Sequence, residues 1–143
     1  MLVQLVPGQI PIFWEAIKYA AVKADGIRDK DIPTYLNQLL YSLLSNKAQC
    51  FVRLDDERKL QSIVVTRILI DQVTGSKSLN ISNLYGFQSS DMDTWKDTLD
   101  ILMTFAKQRK CSIVTAWSAN ARVWEICDNL GFEERLRSFV IDL

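Results

Sequence analysis

One stretch of this chain, residues 120–132, constrains the fold more tightly than any other: it reads NARVWEICDNLGF. Val123, Ile126, Cys127 and Leu130 recur at the three- and four-residue spacing that places them on one face of a helix. Asn120 is a residue type that caps a helix N-terminus, because its side-chain oxygen accepts from a free backbone N–H. Gly131 is the type that ends one, since the left-handed backbone of that position costs glycine nothing sterically. Residues 133–143 then alternate in the manner of a strand. The spacing therefore predicts a short amphipathic helix, a glycine stop and a closing strand.

At 143 residues, 48% of them hydrophobic and 24% charged, residues 1–143 are expected to form a single domain. A chain of this length buries roughly two-thirds of its unfolded surface, so no disulfide or metal staple is required. Basic and acidic residues balance at 17 each. That balance gives no support for nucleic-acid binding, which needs a basic surface against phosphate. There is no histidine, which excludes Ser-His-Asp and Cys-His catalysis and histidine-ligated zinc. No metal site is expected. Cys50, Cys111 and Cys127 are odd in number, far apart and in apolar contexts, as expected for reduced, buried thiols in a cytoplasmic protein. No apolar run approaches the ~20 residues of a membrane span, and MLVQLVPGQ lacks the basic region and apolar core of a signal peptide.

Further elements follow from periodicity and turn chemistry. Residues 2–6 read as a strand ended by Pro7-Gly8, and Ile12, Phe13, Ala16, Ile17, Ala20 and Ala21 as a helix stopped at Asp25-Gly26. A second helix begins near Pro33 and runs through Leu36, Leu39, Leu40 and Leu43. Strands are expected at 49–53, 60–71 and 78–87, joined by turns at 55–59 and 74–77. A helix over 93–109, capped by Asp91 or Asp93, leads to a buried strand at 112–117. The predicted order is β-α-α-β-β-β-α-β-α-β.

The asparagine helix, the Leu-Gly-Phe stop and the closing strand resemble the C-terminal signature of the GNAT N-acetyltransferase superfamily, N-x-x-A-x-x-x-Y-x-x-x-G-F. Aligned on Gly131-Phe132, its asparagine falls on Asn120, its alanine on Val123 and its tyrosine on Cys127. The resemblance implies an α+β fold, a mixed and mostly antiparallel sheet flanked by helices, with strands 78–87 and 112–117 as a parallel pair. About a dozen residues follow Gly131-Phe132, so the closing hairpin of the superfamily is expected to shrink to one strand.

Enzymes of the superfamily pass from the fourth strand into a helix through Q/R-x-x-G-x-G/A. The glycines let backbone N–H groups approach the pyrophosphate of coenzyme A. Here Asp91 takes the Q/R position, and Thr94 and Lys96 the two glycine positions. Two carboxylates, Asp91 and Asp93, stand where the anion would lie. Nor does the fourth strand offer a general base: its polar residues are Asn80, Ser82 and Asn83. Glu125 and Asp128 are expected on the solvated face of the last helix, and Cys127 as an inert packed thiol. No catalytic residue and no cofactor are therefore expected.

The resemblance implies two functions. In the preferred one the domain is a degenerate, pseudoenzyme-like protein that acts through protein partners or self-association, away from membranes. Small GNAT-like virion proteins of tailed bacteriophages are similar in length and in the missing loop, which adds a phage virion to the expected locations. In the other, an active N-acetyltransferase holds acetyl-CoA through Ser89, Ser90, Met92, Thr94 and Trp95 of the loop and Asn120 of the helix. Trp95, Trp117 and Trp124 are expected to fill the cleft, and Trp14, Tyr19, Tyr35 and Tyr41 to mark a docking region.

Overall fold

The computed structural model describes residues 1–143. Its elements are β1 (Leu2–Gln4), α1 (Ile10–Asp25), α2 (Ile32–Leu44), β2 (Ala48–Leu54), β3 (Leu60–Ile70), β4 (Lys77–Gly86), α3 (Met92–Gln108), β5 (Ile113–Ala116) and α4 (Ala121–Asn129). Short 3₁₀ turns at Pro7–Gln9 and Asp29–Asp31 lead into the first two helices. Gly26, at φ 58°, ends α1 in the left-handed conformation that Asp25-Gly26 predicts.

The strands form one sheet in the order β1-β2-β3-β4-β5. The first three pairings are antiparallel. The last is parallel, in register from Ser78–Ile113 to Ile81–Ala116, with α3 as the crossover. The expected mixed α+β architecture and its parallel pair are both present.

Two-residue alternation divides the core between the faces. Cys50 and Val52 of β2 and Ile63 and Val65 of β3 pack under α1 and α2, against Ile17, Leu39 and Leu43. Phe51 and Val64, from the intervening positions, meet Leu102, Phe105, Val123 and Ile126 of α3 and α4. Arg53 is a buried exception on β2. Its guanidinium donates to Asp97 Oδ2 at 2.7 Å and Thr98 Oγ1 at 3.1 Å, tying β2 to α3.

A bulge in β4 governs its polar run. Val65 pairs with Asn83 and Thr66 with Ile81, so Ser82 has no opposite residue. The extra residue lets Ile81 and Leu84 both join the α3/α4 layer. Asn80 and Asn83 are thereby turned away from that layer and are fully buried.

Two expectations are corrected. Residues 133–143 form no strand: none of their backbone groups has an intramolecular hydrogen-bond partner, and Leu136, Phe139, Val140 and Ile141 are 80–90% exposed. Alternation supplies the side-chain pattern of a strand, but a strand exists only when a ladder pairs its N–H and C=O groups. The segment is held outside itself by one exposed ion pair, Arg28 to Asp142 at 2.8 Å. Such a pair contributes little. The tryptophans are the second correction, given below. No helix is long and apolar enough to cross a membrane.

Candidate functional site

Two helices begin side by side where the parallel strands end, and each is capped by one side chain. At the start of α3, Asp91 is extended (φ −77°, ψ 171°) and its Oδ1 accepts from the Thr94 N–H at 2.8 Å. That backbone hydrogen bond holds the Asp91 carboxyl below its usual range, so it is ionised at neutral pH. The loop before it is tied to the β2–β3 hairpin. The Phe87 and Gln88 N–H groups donate to Gln61 O at 2.9 and 3.3 Å. The Gln61 amide donates to Ser90 Oγ at 3.0 Å, and the Gln88 amide to Asp55 Oδ2 at 3.0 Å. Gly86 makes this fold-over possible: a Cβ there would lie 3.2 Å from Gln88 O, with the Trp95 indole close behind.

At the start of α4, Asn120 Oδ1 accepts from the Arg122 N–H at 2.9 Å. The Asn120 N–H donates to Ser118 Oγ, and the Trp124 indole N–H to Ser118 O at 2.6 Å. The Ala119 N–H donates to Ala24 O, fastening this junction to the end of α1. Beyond α4, Gly131 is left-handed at φ 89°. Its N–H reaches Asp128 O while that of Phe132 reaches Cys127 O, a Schellman stop at the glycine the sequence marks.

Between the two helix starts lies a cavity of ≈ 310 Å³. Gly86, Gln88, Ser89, Ser90, Asn120 and Arg122 give it polar walls, and Leu84, Trp95, Val123 and Ile126 an apolar floor. Deeper between β4, β5, α3 and α4 only an apolar slot of ≈ 20 Å³ remains, walled by residues such as Ile81, Trp95, Val123, Cys127 and Phe132. Side chains occupy the groove between the parallel strands.

Of the loop and helix positions that the sequence singles out, Ser89, Ser90, Trp95 and Asn120 come together on the cavity wall. Met92 instead packs against the apolar layer, and the Thr94 amide is taken by Asp91. Cys127 is half-buried in the slot wall. Burial first, and the Asp128 charge second, push its thiol up, away from the thiolate a nucleophile needs. The expectation that three indoles fill the cleft holds for Trp95, 5% exposed, and fails for Trp117 and Trp124, at 60% and 55%. β5 is an edge strand and α4 is short, so neither has a neighbouring layer to bury the outward ring.

Sequence reasoning misses Arg122, which brings a cation to the cavity although its guanidinium also meets Glu125 at 3.2 Å. It also misses a polar cluster away from the cavity. Tyr35 donates to Asp25 Oδ2 at 2.6 Å, and the Asn83 amide donates to Tyr35 Oη at 3.4 Å. Burial raises the Asp25 pKa against the opposing effect of these hydrogen bonds. Asn83 Oδ1 has no partner. The nearest signal is Asp25-Gly26, legible only as a helix stop.

No family model and no curated protein matches the chain. Solved structures do. A predicted acetyltransferase with acetyl-CoA from Clostridium acetobutylicum superposes with a TM-score of 0.77 at 13% identity, over 99% of this chain and 95% of that one. A ribosomal-protein-alanine N-acetyltransferase from Brucella melitensis gives 0.73 at 17%, over 100% and 99%. An aminoglycoside 6′-N-acetyltransferase from Acinetobacter haemolyticus gives 0.73 at 14%, over 100% and 97%. The chain has the fold of the GNAT acetyltransferases.

Proposed function

We propose that this GNAT-fold domain acts by binding other proteins and not by transferring acetyl groups. The observation that carries the proposal is the Asp91 carboxylate on the first-turn N–H of α3. A helix N-terminus attracts one anion, and here a side chain already supplies it. A pyrophosphate brought to the same place would meet the charges of Asp91 and, in the same first turn, Asp93. Of the preceding loop's N–H groups, those of Phe87 and Gln88 are committed to Gln61. The residues present do not fit the pyrophosphate of coenzyme A. At the tyrosine position Cys127 offers a half-buried thiol, whose S–H is a weaker hydrogen-bond donor to a leaving thiolate than a phenol O–H.

Exposed rings support a docking role. Tyr19 and Tyr41 are 50% and 57% exposed. Tyr19 stacks edge-on to Tyr85 at 5.6 Å, and Tyr85 to Phe87 at 5.0 Å, carrying an aromatic run from α1 to the cavity mouth. Trp14 and Tyr35, in contrast, pack as partly buried residues against the core. A structural component of a bacteriophage virion is the setting in which we place this role, on the likeness of length and missing loop. Mass spectrometry of purified particles tests that placement.

The second reading, an acyl-CoA N-acetyltransferase, is favoured by the polar cavity and by the acetyl-CoA complex among the fold neighbours. Calorimetric titration with acetyl-CoA separates the two. The binding role predicts no heat at millimolar ligand; a micromolar Kd overturns it.

A further inference from the structure

Beyond its bulge β4 has a neighbour on one side only. The outward ladder to β5 ends where the Trp117 N–H meets Ile81 O, and from Ser82 onward β4 pairs with β3 alone. The Phe87 N–H donates to Gln61 O, which sets the alternation: Tyr85 and Asn83, at the same phase, turn their N–H and C=O groups to β3. Leu84 and Gly86 turn theirs to the side that β5 has left. Both residues line the ≈ 310 Å³ cavity. An unpaired run of strand backbone is a template for another strand.

The cavity walls decide what such a strand carries. Its side chains alternate between the faces of the sheet, so residues two apart share the α3/α4 face. There they meet the apolar floor of Trp95, Val123 and Ile126, and then Arg122, the only ionised side chain on the wall. Arg122 meets Glu125 through Nη1 alone, and its Nε and Nη2 have no protein partner. A guanidinium fork with free donors matches a carboxylate. Asp91 and Asp93 stand at the α3 side and do not line the cavity, so an acid at the α4 side meets a cation. On the opposite face, the Tyr85 and Phe87 rings lie edge to face at 5.0 Å.

We propose that this cavity takes an extended segment of a partner protein, added as a short strand to Leu84–Gly86, with an apolar and an acidic residue two positions apart. The backbone of the segment bonds the free N–H and C=O groups of Leu84 and Gly86. Its apolar side chain enters the floor, and its carboxylate takes the free donors of Arg122. The side chain between them lies against Tyr85 and Phe87. The site rests on the protein-binding role proposed above, and gives that role a place and a partner chemistry.

A displayed library of random octapeptides, selected on the full-length protein, tests the site. Enriched sequences are expected to carry Asp or Glu two positions from an apolar residue. With the strongest of them bound as a synthetic peptide, NMR is expected to show slowed hydrogen exchange at the Leu84 and Gly86 amides. Those of Asn83 and Tyr85, already bonded to β3, change little. Arg122→Ala, at an exposed side chain that the fold does not need, is expected to weaken binding about tenfold. Exchanging the peptide's acid for its amide costs the same in the wild type and nothing further in the variant. A pool without acidic enrichment, unprotected Leu84 and Gly86 amides, or full affinity in Arg122→Ala overturns the proposal. Peptides that perturb only Tyr19 and Tyr41 overturn it too, yet leave the protein-binding role standing. That role falls separately, on a micromolar Kd for acetyl-CoA.

Discussion

On one face of the sheet α1 and α2, of 16 and 13 residues, close the layer completely, and Ile17, Ala20 and Leu39 have no exposed surface. On the other, the 17-residue α3 is paired only with the 9-residue α4. Cysteine and phenylalanine side chains lie half-buried there along a slot that opens into the cavity. Each face holds a cluster of 12 buried residues, so the difference is not one of core size. It lies in the perimeter. A closed face stores stability, whereas a face with an unfinished border has room for a ligand or a second chain.

The largest expected effect contrasts the two faces directly. Leu39→Ala leaves a cavity that rigid neighbours cannot collapse into, costing about 4 kcal/mol, while Ile126→Ala beside the slot costs about 2 kcal/mol. Urea denaturation reads both, and an equal or reversed ranking breaks the comparison. Next, Asn120→Ala removes the cap of the short α4 and is expected to cost about 1 kcal/mol. The same loss at no measurable cost would show that α4 is held by packing alone.

A pH effect sharpens the comparison from the closed side. Burial raises the Asp25 pKa, so the folded state keeps its proton to higher pH than the unfolded chain does. Stability therefore falls as pH rises from about 4, the ordinary carboxylate value, through the raised one. Asp25→Asn keeps an acceptor for Tyr35 and should flatten that decline; an unchanged slope contradicts the assignment. The smallest effect is kinetic. A thiol reagent should modify Cys127 in the folded protein far more slowly than in urea, because its pKa is pushed up and its sulfur is half-covered. Labelling at equal rates would mean that the slot opens freely.

Local chemistry was legible in the sequence wherever one residue decides the backbone. Asn120 caps α4, Gly131 stops it and Asp91 caps α3 because each acts on its own turn. The parallel pair was legible through the strand–helix–strand order. Contacts between distant positions were not. Asp25, Tyr35 and Asn83 meet across 10 and 48 residues, and Arg53 reaches Asp97 and Thr98 across the sheet. Residues 133–143 show the opposite failure: alternation that satisfies the pattern of a strand while no ladder of backbone hydrogen bonds forms to it. Exposure of Trp117 and Trp124 was illegible for the same reason, since burial depends on the neighbour and not on the ring.

The β4–β5 ladder stops at Ile81–Ala116, where the Trp117 N–H closes it on Ile81 O. From Ser82 onward β4 is bonded to β3 alone. A single strand is thus divided in time as well as in space. Before the bulge, amides facing either side are held by a neighbouring strand, while after it only those facing β3 are, and the rest exchange freely. A step in deuterium uptake at Ser82 would mark a seam along which this sheet can part from its upper end and leave the lower half undisturbed.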